Sequence, residues 1–210
     1  MTLKINKAAA TACVVAGALC FEISAREAAD FFSDAPQTVM PLVERNARLD
    51  MMDYFRSTMS TTTANTTGGR SAITALSPKS IMLAISPSTS VQLALVPVKN
   101  DTVVAVIETV ATPFEDSSVR FFTTSWQELP TPVMPGYTDF VAPADRKKAA
   151  ACEAPAMFFT KAFYDETNST FVFTDTSAGY YYTDEKPEVF THMKPSIRMR
   201  FDGKKFTPVK

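Results

Sequence analysis

Histidine and cysteine are nearly missing from this chain. His192 is its one histidine, and the three cysteines are Cys13, Cys20 and Cys152. Metal centres need clustered Cys, His or carboxylate ligands, and no such spacing is written here, so no metal ligands are expected. A Ser–His–Asp hydrolase would have to use His192, which reads as part of a surface loop. A Cys152–His192 pair is open on paper, but a cysteine flanked by alanines behaves more often as a small apolar residue. Glycine is also scarce, at six residues. No phosphate-cradling glycine loop appears, and Gly68-Gly69 reads as a turn. Long basic runs are absent and the formal net charge is −1, which excludes a nucleic-acid footprint. The expectation is therefore no catalytic residues, no cofactor, and a protein that is not an enzyme.

The single long apolar run covers residues 8–21, after Lys4 and Lys7 and before Arg26, Glu27 and Asp30. It is short for a membrane span, and Ala25 supplies the small residue a secretory peptidase requires. Residues 1–25 read as a signal peptide cut at Ala25, with no transmembrane span left afterwards. Lipidation at Cys20 is the less favoured route, because Leu19 before it is bulky for a lipoprotein peptidase. Export to the periplasm or outer membrane follows. Only Cys152 would then remain, so an intramolecular disulfide is excluded and the body must rely on its core.

Residues 25–32 read as a helix ended by Pro36, and Thr38 and Pro41 suggest a second helical start. Asn46 reads as a break. Leu49, Met52, Phe55 and Met59 then recur at helical spacing, with Glu44/Arg48 and Asp53/Arg56 spaced to pair on the exposed side. Asp50 and Asp53 are taken as solvated charges. Beyond Gly69, Ile81, Leu83 and Ile85 alternate, as do Val91, Leu93 and Leu95, and residues 102–110 are more continuously apolar. With turn residues between them, these runs predict an antiparallel meander whose last strand covers residues 119–124. Trp126 closes that strand as a core anchor. Residues 144–153 suggest a short helix ending near Cys152. Residues 158–164 and 170–174 flank a polar hairpin loop, and residues 197–201 and 206–209 flank a tight turn at Asp202-Gly203.

The predicted fold class is α+β, with N-terminal helices packed on a mainly antiparallel sheet. The division places helices and a first β-meander lobe at 26–132, a connector at 133–155 and a second β-rich lobe at 156–210. Whether the two β-rich halves share one sheet stays open. Tyr180, Tyr181 and Tyr182 read as a strand that shows at least one ring to solvent, and Arg198 and Arg200 share a strand face. These five residues are the candidate ligand or partner surface.

The segments Arg48-Leu49-Asp50-Met51-Met52-Asp53-Tyr54-Phe55, Leu95-Val96-Pro97-Val98, Arg120-Phe121-Phe122-Thr123-Thr124-Ser125-Trp126-Gln127 and Phe201-Asp202-Gly203-Lys204-Lys205-Phe206, with residues 69–76, carry a likeness. On them the chain resembles exported Bacteroidales proteins grouped as a domain of unknown function, departing most between Pro143 and Pro155. The resemblance implies Gram-negative export and an α+β fold, and it brings no catalytic residues. The expected function is a non-enzymatic binding or interaction module of the cell envelope, with a protein or glycan partner. Two alternatives are carried: a periplasmic carrier of lipid or lipoprotein with an apolar cavity and a lipid ligand, and a hydrolase using His192.

Overall fold

The computed structural model describes residues 26–59, 62–99, 101–111, 113–181 and 186–209. Residues 1–25, with Cys20 and Ala25, and Tyr182 lie outside the described residues. Helix α1 (Ala28–Asp34) starts where Asp30 accepts the Glu27 backbone N–H at 2.9 Å, and it stops before Pro36. Residues 36–43 do not form the helix that Thr38 and Pro41 suggest. They make successive turns, with the N–H groups of Val39 and Met40 both on the Pro36 carbonyl and that of Val43 on Met40. Two prolines five residues apart remove the donors a helix needs, and the turns aim Val39, Met40 and Val43 into the core.

Helix α2 (Arg45–Arg56) runs through Asn46, which lies exposed in the first turn and breaks nothing. Its buried stripe is Arg48, Met51 and Met52, while Leu49, Phe55 and Met59 are exposed. The expected apolar face is therefore off by about one residue, and the reason is Arg48. Instead of pairing with Glu44 in solvent, it is only 1 % exposed and donates to the Val43 carbonyl at 2.8 Å and the Ala35 carbonyl at 2.5 Å. The guanidinium thus supplies donors to carbonyls that the turn region leaves without partners.

The chain is mostly β, in two antiparallel sheets. Strands β1 (Thr63–Ala64), β2 (Arg70–Leu76), β3 (Ser80–Ser86), β4 (Thr89–Val98), β5 (Asp101–Ala111) and β6 (Glu115–Phe122) form a six-stranded meander in chain order. Strands β7 (Thr160–Asp165), β8 (Thr170–Asp175), β9 (Ser196–Phe201) and β10 (Phe206–Pro208) form a separate four-stranded sheet, ordered β10-β9-β8-β7. Helices are not confined to the N-terminal side: α3 (Tyr137–Phe140) and α4 (Arg146–Ala149) lie between the sheets in sequence. The helix expected over 144–153 is thus shorter, with residues 143–145 in a 3-10 turn.

Period-two patterning places the core in two slabs. Val91, Leu93 and Leu95 of β4, with Val104 and Val106 of β5, face α1 and α2. Their neighbours Ala94, Val96, Val103, Ala105 and Ile107 face Phe171, Phe173, Met199 and Phe201 of the second sheet. Registers such as Leu93↔Val106 and Ala94↔Ala105 keep each set on its own face. Strand β5 is therefore covered on both sides, as its unbroken apolar run requires. Trp126 packs edge-on to Phe31 of α1 with centroids 6.2 Å apart, and lies 5.7 Å from Phe122, which makes it the core anchor expected of it.

The sheets are joined by side chains that satisfy the edge of β7. Its N–H groups at Thr160, Ala162 and Tyr164 donate to Asp116, Ser117 and Gln92 of the first sheet at 3.2, 2.9 and 2.8 Å. A bare strand edge inside a protein would leave donors unpaired and invite a foreign strand. The closing hairpin differs from the expected two-residue turn. Phe201 pairs with Phe206 across residues 202–205, Asp202 accepts the N–H groups of Lys204 and Lys205, and Gly203 sits at φ +102°, where a side chain would be strained.

Candidate functional site

The surface expected at Tyr180, Tyr181, Arg198 and Arg200 is not one site. Tyr180 and Tyr181 are not in a strand: they follow a 3-10 turn, Ser177–Gly179, because Ser177 turns the chain by accepting and donating bonds with the Phe159 backbone. Tyr180 is 45 % exposed and stands edge-on to Phe114 and Phe159. Gly179 permits that cluster, since a Cβ there would lie 2.8 Å from the Phe114 ring. The Tyr181 hydroxyl is used up internally, donating to the Met157 carbonyl and accepting from the Met157 N–H, both at 2.8 Å.

Arg198 lies at the other end of β7, bonded to Asp165 at 2.8 Å. Six residues of strand separate Phe159 from Asp165, roughly 20 Å. Together with the side-chain amide of Asn168, this guanidinium holds the Asp165 carboxyl at about 2, against an ordinary value of 3.8. Arg200 is exposed on the same face of β9. The face continues through Val172, paired with Arg198, to Phe163, paired with Val172 and 44 % exposed. The sequence does not single out Phe163, because the hairpin pattern over residues 158–174 leaves its inner side undecided. The turn register at 166–169 decides it.

Chain topology also assembles a cluster that spacing did not announce. The Cys152 sulfur, a Glu188 carboxylate oxygen and a His192 ring nitrogen all lie within 4.8 Å of one another. Cys152 follows α4, its N–H on the Ala149 carbonyl and its thiol donating to the Lys148 carbonyl at 3.3 Å. Glu188 and His192 bracket a 3-10 turn, Glu188–His192, rather than a plain loop. That turn is pinned by the Thr191 hydroxyl on the Glu188 carbonyl and by Val189 and Phe190, which pack with Val141 and Ala149 in a small satellite core. Cys152 and His192 are half-buried and Glu188 is exposed. The signal available beforehand was that His192, the sole histidine, and Cys152 fall in the same third of the chain and could be paired on paper.

The other candidates stay apart from this chemistry. Asp50 and Asp53 are exposed on α2. No helix among the described residues is long and apolar enough to cross a membrane.

The family described as "Protein of unknown function (DUF3256)" matches residues 20–206. Among solved structures, a domain of an uncharacterized protein from Porphyromonas gingivalis W83 superposes with a TM-score of 0.69 at 21 % identity, covering 86 % of this chain and 96 % of that one. At that identity the likeness is one of fold. Comparison with curated proteins returns no match.

Proposed function

The chain belongs to that family of proteins of unknown function, and we propose that it is a non-enzymatic binding or interaction module of the cell envelope, exported by residues 1–25. One observation carries the reading. Helices and the second sheet cover both faces of the first sheet, whereas the outer face of β7–β9 presents Phe163, Val172, Arg198 and Arg200 to solvent. Aromatic and guanidinium groups side by side are what recognition surfaces concentrate. The partner in this reading is an envelope protein or glycan at the periplasmic or outer-membrane side.

The carrier alternative draws less support from the packing. Where Val39, Met40 and Val43 meet Ile85, Val91 and Val106, the space is about 30 Å³, room for a water rather than an acyl chain, and the roomier hollow beside Phe31, Leu95 and Pro97 is open to solvent rather than enclosed. The hydrolase alternative has one supporting observation, the placement of His192 beside Cys152 and Glu188.

Affinity capture from the native envelope in mild detergent tests the binding reading. Wild-type protein should retain a defined protein or polysaccharide, and a Phe163→Ala, Arg200→Ala double variant should lose it. Arg198 is left in place because of its bond to Asp165. Equal retention by the folded double variant would overturn the assignment of this face.

A further inference from the structure

We propose that Cys152, Glu188 and His192 bind a single zinc-class divalent cation. The ligand set is one thiolate, one imidazole and one carboxylate. That mixture suits zinc among the common divalent ions and does not suit calcium or magnesium, which take oxygen ligands. Tetrahedral coordination with bonds of about 2.0–2.3 Å sets ligand atoms about 3.5 Å apart. The three atoms already lie within 4.8 Å of one another, so closure requires movements of roughly 1 Å, within reach of side-chain torsions.

The donors are also held on anchored backbone. Val189 and Phe190, between Glu188 and His192, are buried, and Ala149, three residues before Cys152, packs in the same satellite core. Cys152 and His192, 40 residues apart in sequence, are thus brought to a common point with Glu188. On binding, the Cys152 thiol gives up its proton and its bond to the Lys148 carbonyl, and the proton leaves to solvent. Three protein ligands leave a fourth position for water or for a group from a partner.

Titration of the full chain with Co²⁺ and Zn²⁺ tests the site, followed by calorimetry and by the thiolate-to-cobalt charge-transfer band. One ion per chain is expected, with the band present in wild type and in Cys20→Ser. Cys152→Ser and His192→Ala should each weaken binding at least ~100-fold, and Glu188→Gln by ~10-fold. If a variant does not fold by circular dichroism, wild-type protein decides alone. Zn²⁺ should slow maleimide labelling of Cys152, and a chelator should restore it. Binding unchanged in the folded Cys152→Ser and His192→Ala variants, absence of the band, or a labelling rate indifferent to Zn²⁺ would overturn the proposal.

Discussion

The Gln92 side chain pairs with the main chain of Tyr164 as a neighbouring strand would. Its Oε1 accepts the Tyr164 N–H at 2.8 Å and its Nε2 donates to the Tyr164 carbonyl at 2.9 Å. Gln92 is 4 % exposed and also donates to the Ser80 hydroxyl. One amide therefore satisfies the Tyr164 end of the β7 edge, beside the Asp116 and Ser117 contacts, at a point that is almost fully buried.

Gln92→Leu should cost about 3 kcal/mol, because it strands a donor and an acceptor on Tyr164 in the interior. Urea unfolding monitored by circular dichroism measures it. A loss below about 0.5 kcal/mol would mean that the Tyr164 backbone finds other partners.

Arg48→Met should destabilise by about 2–4 kcal/mol, although it replaces a charge in the core with an apolar chain. The Val43 and Ala35 carbonyls would lose their donors. Burial, and then the neighbouring Arg45, push the Arg48 guanidinium below its ordinary value, so it is held there at a cost that its two bonds offset. Trp126 reports the outcome, being the sole tryptophan and in contact with Phe31 of α1. Its emission should shift to the red at a lower urea concentration in the variant. A shift to higher urea would sink the argument.

These two residues mark where sequence patterning stops being informative. The meander was legible because Ile81, Leu83 and Ile85 repeat with a period of two and because residues 102–110 allow burial on both faces. Arg48 misled because charge spacing on a helix is normally solvated, and nothing local says that residues 36–43 will present bare carbonyls to it. Gln92 falls on the strand face opposite Val91, Leu93 and Leu95, and its partner lies 72 residues away. Cys152 and His192 are likewise joined only by the packing of α4 against the 188–192 turn. Non-local polar pairings of this kind have no periodicity to read.

Arg198→Ala should raise the Asp165 carboxyl from about 2 while leaving it below 3.8, since the Asn168 amide, the larger influence, remains. Because the folded value is depressed, the unfolded chain takes up the proton first as pH falls. The stabilisation is complete above about pH 4 and is lost as pH drops toward 2. Carboxyl-carbon NMR titration of wild type and variant checks it, and an unchanged Asp165 midpoint would show that the Arg198 contact is not maintained in solution.

Tyr164→Phe separates the phenol of this residue from its main chain. The hydroxyl is buried with no hydrogen bond of good geometry among the described residues, and burial pushes its ionisation above the ordinary value of 10.0, with the nearby Ser169 side chain opposing that rise. Deleting it should be neutral or stabilise by about 1 kcal/mol, because a desolvated hydroxyl is removed and the Gln92 bonds stay. The native phenol holds its proton longer than the unfolded one, so wild-type stability should decline as pH rises above about 10, and the variant should lose that decline. In a double-mutant cycle with Gln92→Leu the coupling should be under about 0.5 kcal/mol even though the residues touch, because Gln92 acts on the peptide group and not on the ring. A larger coupling would mean that the amide instead fixes the tyrosine ring, and that the edge of β7 is closed by Asp116 and Ser117 alone.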